Sequence, residues 1–470
     1  MEDLLRSTLV ELVDALRARK LSALELMHAT LARIDAANPR LNAVVAMYPR
    51  EKLVAQAREA DGRLARGEGR PLEGIPFGVK DLESCEGLVT THGSLLYKDE
   101  VARRDDIHVA RLRAAGAIPV GKTNAPEFGY TAITKNLVYG VTRNPWSLER
   151  TPGGSSGGSS AAIAGCLLPM ATASDGGGSV RIPASFTGTF GLKVSFGRVP
   201  MAPRELWYLG DTSVYGPLTR TVEDGALYLD QVCGAHPLDP NSLPHPGISY
   251  LEAVRGRAPE RLRVGYAADL GYAVVQSDVA EAVYDAARSF EKLGHRLEEV
   301  QGGPPLMGRE WAVLGSLEGR ARIDHLLPER RGEIGRAYLA GLEQFDKMTA
   351  GDLRAMNTKR EQLNVWCAEI FERFDVLVTP TVPYDPPPAK GPFPDETEGR
   401  RQVVAGVASF TIPFNLSWHP AATVRAGLSR AGLPIGMQIV AARHRDDLVL
   451  QVARAFERER PWHPHWPTDF

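Results

Sequence analysis

Residues 151–190 hold two glycine–serine knots, 153–160 and 176–179, on either side of a short apolar segment. No other stretch of the chain restricts its fold as much. Glycine at this density reaches backbone angles closed to other residues and lets main chain pass close to a ligand. The serines embedded there are candidate nucleophiles or hydrogen-bond donors. Between the knots the pattern predicts a helix over 159–166 and a strand over 168–173. A short helix over 180–186 follows, starting at Ser179 and limited by Pro183.

The flanking chain supplies the same rhythm. Ser22 and Glu25 form a capping-box pattern, and Leu24, Met27, Leu31 and Ile34 share one helical face. Asn38 and Pro39 are expected to end that helix. A more charged helix over 50–65 ends at Gly67. Prolines and glycines over 71–78 then bracket a short apolar strand that delivers Lys80 at its end. A helix over 107–115, a turn at Gly116 and a buried strand over 117–121 follow, the alternation of an α/β protein.

Beyond Val199 the chain loosens. Residues 219–224 look like a loop entering a helix over 226–232, and the Pro- and Gly-rich residues 234–260 form a connector. A strand over 262–266, a helix over 279–293 capped by Ser277 or Asp278 and a strand over 295–300 come next. Residues 305–370 are mostly helical. A strand over 375–379, a proline-rich loop over 380–394, a buried strand near 435–440 and a helix over 446–459 close the chain. With no internal repeat and no clear linker, residues 1–470 read as one large α/β domain. Its catalytic core spans about 60–235, with a peripheral helical region over about 305–370.

Composition narrows the function classes. Hydrophobic residues are 43% and charged residues 24%, enough apolar material for a sizeable core. A net charge of −2 provides no basic excess for a nucleic-acid surface. The arginines near the C-terminal end (Arg425, Arg430, Arg443, Arg445, Arg454, Arg458, Arg460) are diluted by Asp446, Asp447 and Glu457 and read as a solvated helix face. Cys85, Cys166, Cys233 and Cys367 lie far apart, which fits neither zinc nor a disulfide framework. Free, largely buried thiols are expected. No signal-peptide core and no apolar run near ~18 residues is present, so the expected location is the cytoplasm, without membrane contact.

Several chemistries compete for the glycine–serine stretch. Gly153, Ser155 and Gly157 fit G-x-S-x-G, but a nucleophile elbow needs a buried strand before it. Residues 144–152 are polar and broken by Pro145 and Pro152. A phosphate loop needs a Lys after its glycines, and none follows. The histidines lack metal-ligand spacing. His92 and His419 sit near turns and read as structural or pocket-lining, with a Ser–His pair as the alternative. Serine with lysine remains, since a neutral lysine can activate a hydroxyl. Burial at the apolar strand end would depress the Lys80 pKa, and strand alternation turns Asp81 away from it. Taken alone, Lys80 reads as an ordinary surface or salt-bridged lysine.

The matching pieces, in order, are Gly74-Ile75-Pro76 with Lys80-Asp81, Gly121-Lys122-Thr123-Asn124, Thr142-Arg143-Asn144-Pro145-Trp146 and the GGSSGGS run from Gly153. Asp175-Gly176-Gly177-Gly178-Ser179 with Arg181-Ile182-Pro183, Gly191-Leu192-Lys193, Gly216-Pro217-Leu218 and Gly432-Leu433-Pro434 complete them. On these the chain resembles the amidase signature family over nearly its whole length. The resemblance implies a single domain with a mixed twisted β-sheet core covered by helices on both faces. It also implies a Ser–cisSer–Lys triad: Lys80 as base, Ser155 as bridging serine after a cis bond from Gly154, and Ser179 as nucleophile. The backbone N–H groups of Gly176, Gly177, Gly178 and Ser179 would form the oxyanion hole. Asp175 and Arg181 would brace the loop, with Ser156 and Ser159 in supporting positions. The implied reaction is acyl transfer from an amide to Ser179, then hydrolysis, with no cofactor and no metal.

Two departures from the family pattern bear on the substrate. Gly176 stands where threonine is more usual, a triple glycine similar to 6-aminohexanoate-cyclic-dimer hydrolases and some aryl-acylamidases. Residues 415–420 (Asn-Leu-Ser-Trp-His-Pro) replace a commoner N-x-T-G-x-P, which makes Trp418 a candidate pocket residue, with a core tryptophan as the alternative. The expected substrate is a small amide, with EC 3.5.1.4 the nearest class. A second reading is the A subunit of a glutamyl- or aspartyl-tRNA amidotransferase. A third, a non-catalytic binding protein, is opposed by the intact Lys80, Ser155 and Ser179. Specificity is expected from loops near 201–215, 305–345 and 380–420. The oligomeric state is open, with a homodimer among the possibilities.

Overall fold

The computed structural model describes residues 2–202, 211–343, 349–463, 465–467 and 470. Part of the expected specificity loop 201–215 and the end of 305–345 lie outside these residues. The large sheet has eleven strands. From one edge they are Val44–Met47, Ile118–Thr123, Pro76–Lys80, Met170–Asp175, Val214–Thr219, Phe190–Lys193, Ala421–Leu428, Pro434–Ala441, Val376–Pro380, Arg263–Tyr266 and Arg296–Glu299.

The sheet is mixed. Pro76–Lys80 runs parallel to Ile118–Thr123 and to Met170–Asp175, while Val214–Thr219 runs antiparallel to Met170–Asp175. Successive strand residues point to opposite faces. Pro76–Lys80, Val214–Thr219 and Pro434–Ala441 are buried at every position, so both faces are covered. Asp446–Glu459 and Ser277–Lys292 pack on the strand pair Ala421–Leu428 and Pro434–Ala441. The edge strand Arg296–Glu299 is charged and partly exposed, which discourages pairing with another chain. The architecture is a single α/β domain with a mixed sheet between helices.

Four strands escape a local reading: Val44–Met47, Phe190–Lys193, Val214–Thr219 and Ala421–Leu428. All sit inside the sheet or against a paired neighbour, and their pairing comes from distant segments. The loop expected at 219–224 is the end of one strand, and Thr221 then caps the helix Val222–Val232 through a capping box with Asp224.

Pro39 does not stop the first long helix, which runs Ala23–Leu41 with Pro39 inside its last turns. A proline there forfeits one backbone bond. Beside it Asn38 ties down the chain past the helix end: its Oδ1 accepts the N–H groups of Ala43 and Val44 at 2.9 Å each and its Nδ2 donates to the Val44 carbonyl at 2.7 Å. The true stop is Asn42, in the left-handed region at φ 52°. The other end is capped as expected, with Ser22 and Glu25 bonding each other's backbone N–H. All four cysteines are buried and free. Among the described residues no helix is long and apolar enough to cross a membrane.

Residues 305–370 fold as the helices Gly308–Ile323, Leu327–Arg330, Arg336–Glu343 and Ala350–Arg373 with short connections, interrupted by the residues outside the described set. Met307, Val313, Leu314, Met356 and Leu363 from this segment share an apolar cluster with Ile182 and Phe186. Those two belong to the helix Arg181–Thr187, directly after Ser179. The helical segment is therefore packed onto the glycine–serine stretch.

Candidate active site

Because Pro76–Lys80 and Met170–Asp175 are parallel neighbours, their carboxyl ends emerge together. Crevices outside strand carboxyl ends are the usual ligand sites of α/β sheets. Lys80 is the last residue of its strand and is fully buried. Its backbone N–H donates to Thr172 Oγ1 at 2.9 Å. Its Nζ lies 2.8 Å from Ser155 Oγ, 2.9 Å from Ser174 Oγ and 3.3 Å from the Ser174 carbonyl.

Burial pushes the Lys80 ammonium down to about 8, against the opposing pull of the Glu83 and Asp175 carboxylates. Asp81 is turned away. Its carboxylate accepts from the Thr91 N–H at 3.0 Å, from the Thr91 hydroxyl and from the Gly93 N–H at 3.4 Å. Glu83 is fully buried and sits behind Lys80. Its N–H donates to the Lys80 carbonyl at 3.0 Å, and its Oε2 is 3.0 Å from His108 Nε2.

Ser155 follows a cis peptide bond from Gly154. Gly153 turns the chain into it at φ 89°, and a Cβ there would sit 2.8 Å from the Pro183 Cα. No side chain fits that approach. The Ser156 N–H donates to the Ser179 carbonyl at 3.2 Å, tying the two knots together. Ser156 Oγ and Ser159 Oγ donate to the carbonyls of Ser174 (3.4 Å) and Thr172 (2.9 Å). Both hydroxyls thus hold the loop against the strand.

Ser155, Ser174, Gly176, Gly177 and Ser179 line one cavity of about 150 Å³. Its outer wall is largely aromatic: Phe128, Tyr130, Trp311 and Tyr338, with Glu318 and Arg322 at hand. The helix Gly308–Ile323 of the segment read as peripheral supplies much of this wall.

Asp175 and Arg181 form a fully buried pair at 2.9 and 3.0 Å. Burial alone would raise the Asp175 carboxyl, but Arg181 and Asn415 together hold it well below the usual carboxylate range. Arg181 also donates to Gln438 Oε1 at 2.6 Å and to the Thr411 carbonyl at 3.0 Å. Asn415 Nδ2 donates to Asp175 Oδ1 at 2.8 Å.

One expected oxyanion donor is committed elsewhere. The Gly178 N–H donates to Asp175 Oδ1 at 2.7 Å, because the carboxylate reaches back over the loop that starts at its own residue. The N–H groups of Gly176, Gly177 and Ser179 donate no hydrogen bond among the described residues.

Trp418 stands away from this cavity. It stacks on Phe196 with ring centroids 4.8 Å apart, donates from Nε1 to the Asp211 carbonyl at 2.7 Å and lines a separate cavity with Arg360 and Arg443. His92 and His419 make no hydrogen bond to Ser179 among the described residues, and burial pushes both imidazoles down to about 3. Both are therefore neutral.

Sequence reading missed four residues that hold the site. Ser174 carries no signal beyond its place before Asp175. Gln438 could have been found as a lone amide inside an apolar strand, and Asn415 as the first residue of the altered 415–420 motif. Trp311 has no local signal.

A strand-end lysine touching a buried serine, beside a glycine loop that opens a helix, fits an acyl-transfer enzyme. The family model described as Amidase matches residues 25–450, and the chain belongs to the amidase signature family. An acylamidase from Rhodococcus erythropolis is 38% identical, with 98% of this chain and 96% of that protein covered. The glutamyl-tRNA(Gln) amidotransferase A subunit from Geobacter sp. (strain M21) is 34% identical, covering 97% and 98%. Among solved structures, a bacterial aryl acylamidase of the amidase signature family superposes with a TM-score of 0.91 at 30% identity, covering 97% and 96%. A 6-aminohexanoate cyclic dimer hydrolase complexed with substrate gives a TM-score of 0.87 at 31% identity, covering 98% and 99%.

Proposed function

We propose that this amidase hydrolyses a small carboxylic acid amide, within EC 3.5.1.-, through a Ser179 acyl-enzyme. The observation that carries the reading is the 2.8 Å contact between the buried Lys80 Nζ and Ser155 Oγ. Neutral Lys80 takes the Ser155 proton as Ser155 takes the Ser179 proton, and Ser179 Oγ bonds to the amide carbon. The oxyanion is met by the N–H groups of Gly176, Gly177 and Ser179. Lys80 then returns a proton through Ser155 to the leaving nitrogen, the C–N bond breaks and the amine departs. Water repeats the relay, releasing the carboxylic acid and regenerating Ser179. No cofactor enters any step.

The aromatic wall of Phe128, Tyr130, Trp311 and Tyr338 favours an acyl or amine group with a flat or apolar face. The acylamidase and aryl acylamidase relatives agree with that preference, and simple amides of EC 3.5.1.4 are the starting substrates. The likeness to 6-aminohexanoate cyclic dimer hydrolase adds linear and cyclic amide oligomers to the panel. The similarity to the glutamyl-tRNA(Gln) amidotransferase A subunit supports a second reading, in which partner subunits are needed. Assaying the purified chain alone against anilides, aliphatic amides and amide oligomers decides between them. Turnover without any partner supports the first reading, whereas activity only with added subunits and charged tRNA supports the second. A fluorophosphonate is expected to label Ser179, and labelling at Ser155 instead would overturn the assignment of the nucleophile.

A further inference from the structure

The Gly176 and Gly177 carbonyls of the glycine run are each held by a side chain from elsewhere in the fold. Across a trans peptide the C=O and the next N–H point in opposite directions, and the only cis bonds among the described residues are Gly154–Ser155 and Gly391–Pro392. Whatever grips the Gly176 carbonyl therefore decides where the Gly177 N–H points. Trp311 Nε1 donates to the Gly176 carbonyl at 2.6 Å. The next peptide is gripped at both ends: Thr411 Oγ1 donates to the Gly177 carbonyl at 2.6 Å, and the Gly178 N–H is taken by Asp175. Of these two peptides only the first has its N–H side open among the described residues, and Gly177 lines the cavity beside Ser179.

The indole also sets what can stand at 177. A Cβ on Gly177 would lie 2.5 Å from the indole Cε2 and Cζ2, so ring and glycine are matched. Trp311 comes from the helix Gly308–Ile323, 135 residues beyond Gly176. Ala312, Gly315, Gly319 and Arg322 of the same helix line the cavity too.

We propose that Trp311 is a positioning residue for acyl transfer: its indole N–H pins the Gly176 carbonyl and thereby aims the Gly177 N–H at the oxyanion formed on Ser179. This rests on the Ser179 acyl-enzyme reading above. Two substitutions separate the donor from the bulk. Trp311→Phe keeps a ring and loses the N–H. Trp311→His loses the outer ring but carries Nε2 at nearly the place of the indole Nε1, with an N–H in its neutral form.

The experiment follows the rate at which a fluorophosphonate modifies Ser179, located by peptide mass, together with kcat and KM on one amide, at pH 8.5 or above. The phosphonyl oxygen takes the oxyanion's place. Misaiming one donor is expected to slow Trp311→Phe by about 10–100-fold in labelling and in kcat, with KM within about twofold. Trp311→His is expected to label faster than Trp311→Phe. Wild-type labelling in Trp311→Phe, a raised KM at unchanged kcat, or a His variant no faster than the Phe variant overturns the proposal. If wild-type protein is not labelled at Ser179, the acyl-enzyme reading itself fails, a result distinct from any difference between variants. If Trp311→Phe does not fold, Trp311→His decides alone, labelling within about tenfold of wild type supporting the proposal and a larger loss overturning it.

Discussion

Lys80 Nζ lies 2.8 Å from Ser155 Oγ although 75 residues separate them in the chain. The contact is buried, and burial lowers the lysine to about 8. As a relay base Lys80 works in its neutral form, so activity should rise with pH. Below about 8 the ammonium dominates, and log kcat/KM should climb with unit slope. Above it the profile should level off. Lys80→Met should lose that limb and about 10²–10⁴ of the rate, and Ser155→Ala should lose a similar factor. A pH–rate profile of the three proteins is the check; a limb that persists in Lys80→Met would assign it to another group.

Ser174 shares the lysine. Its hydroxyl accepts from Nζ at 2.9 Å, beside the Ser155 contact. Ser174→Ala removes one acceptor, which both favours the ammonium and orients Nζ. A loss of about 1–1.5 kcal/mol, or roughly tenfold in kcat/KM, is expected, with the rising limb moved to lower pH. Steady-state kinetics across pH 6–10 reads both effects, and an unchanged limb would show that Ser174 does not touch the ammonium.

The Asp175–Arg181 pair should be expensive to break on one side only. Both side chains are fully buried and bonded to each other. Arg181→Met leaves a buried carboxylate without its counter-charge, and a loss of about 3–5 kcal/mol of stability is expected. The folded Asp175 pKa is depressed, so its contribution is present above the unfolded value of roughly 3.9. It is lost as pH falls below that value. Urea unfolding between about pH 2 and 5 should show a steeper fall of stability below about pH 4 in wild type than in Asp175→Asn.

Trp418 should matter little to turnover. It lines a cavity apart from Ser179, held by Phe196 and the Asp211 carbonyl. Trp418→Phe is expected to leave kcat/KM within about twofold on anilides and aliphatic amides, since a residue that does not touch substrate removes no transition-state contact. A tenfold rise in KM would return it to the substrate pocket.

The thiols should be silent in the native protein. All four cysteines are buried and free, and burial pushes Cys233 up to about 11 and Cys367 up to about 12. A thiol reagent should find none of them at pH 7 and all four in denaturant. Fast labelling of any one would show that its cover opens.

Much of this fold is legible along the chain where local rules act alone. The Ser22 capping box, the helix Arg50–Ala65 and the strand that ends at Lys80 all follow from residues within a few positions. The helix with Pro39 inside it does not, because the chain just beyond it is held by Asn38, whose side chain bonds the backbone of Ala43 and Val44. Val214–Thr219 carries Gly216 and Pro217 and has no strand pattern of its own, yet it pairs along the whole of Met170–Asp175.

The available groups are legible in the residue order: a lysine at a strand end, serines in two glycine knots, and a carboxylate and a guanidinium around the second knot. Those follow from residue order and from the angles that glycine and proline permit. How those groups are paired is visible only in the folded chain. It gives the Gly178 N–H to Asp175, sets Ser174 beside Lys80, carries Trp418 to another cavity and brings Trp311 onto the Gly176 carbonyl. Each of these is a question of direction, settled by which partner packs against which side of a peptide or strand; Ser174 lies 94 residues from Lys80 and Trp311 135 from Gly176, separations that leave no mark on local sequence.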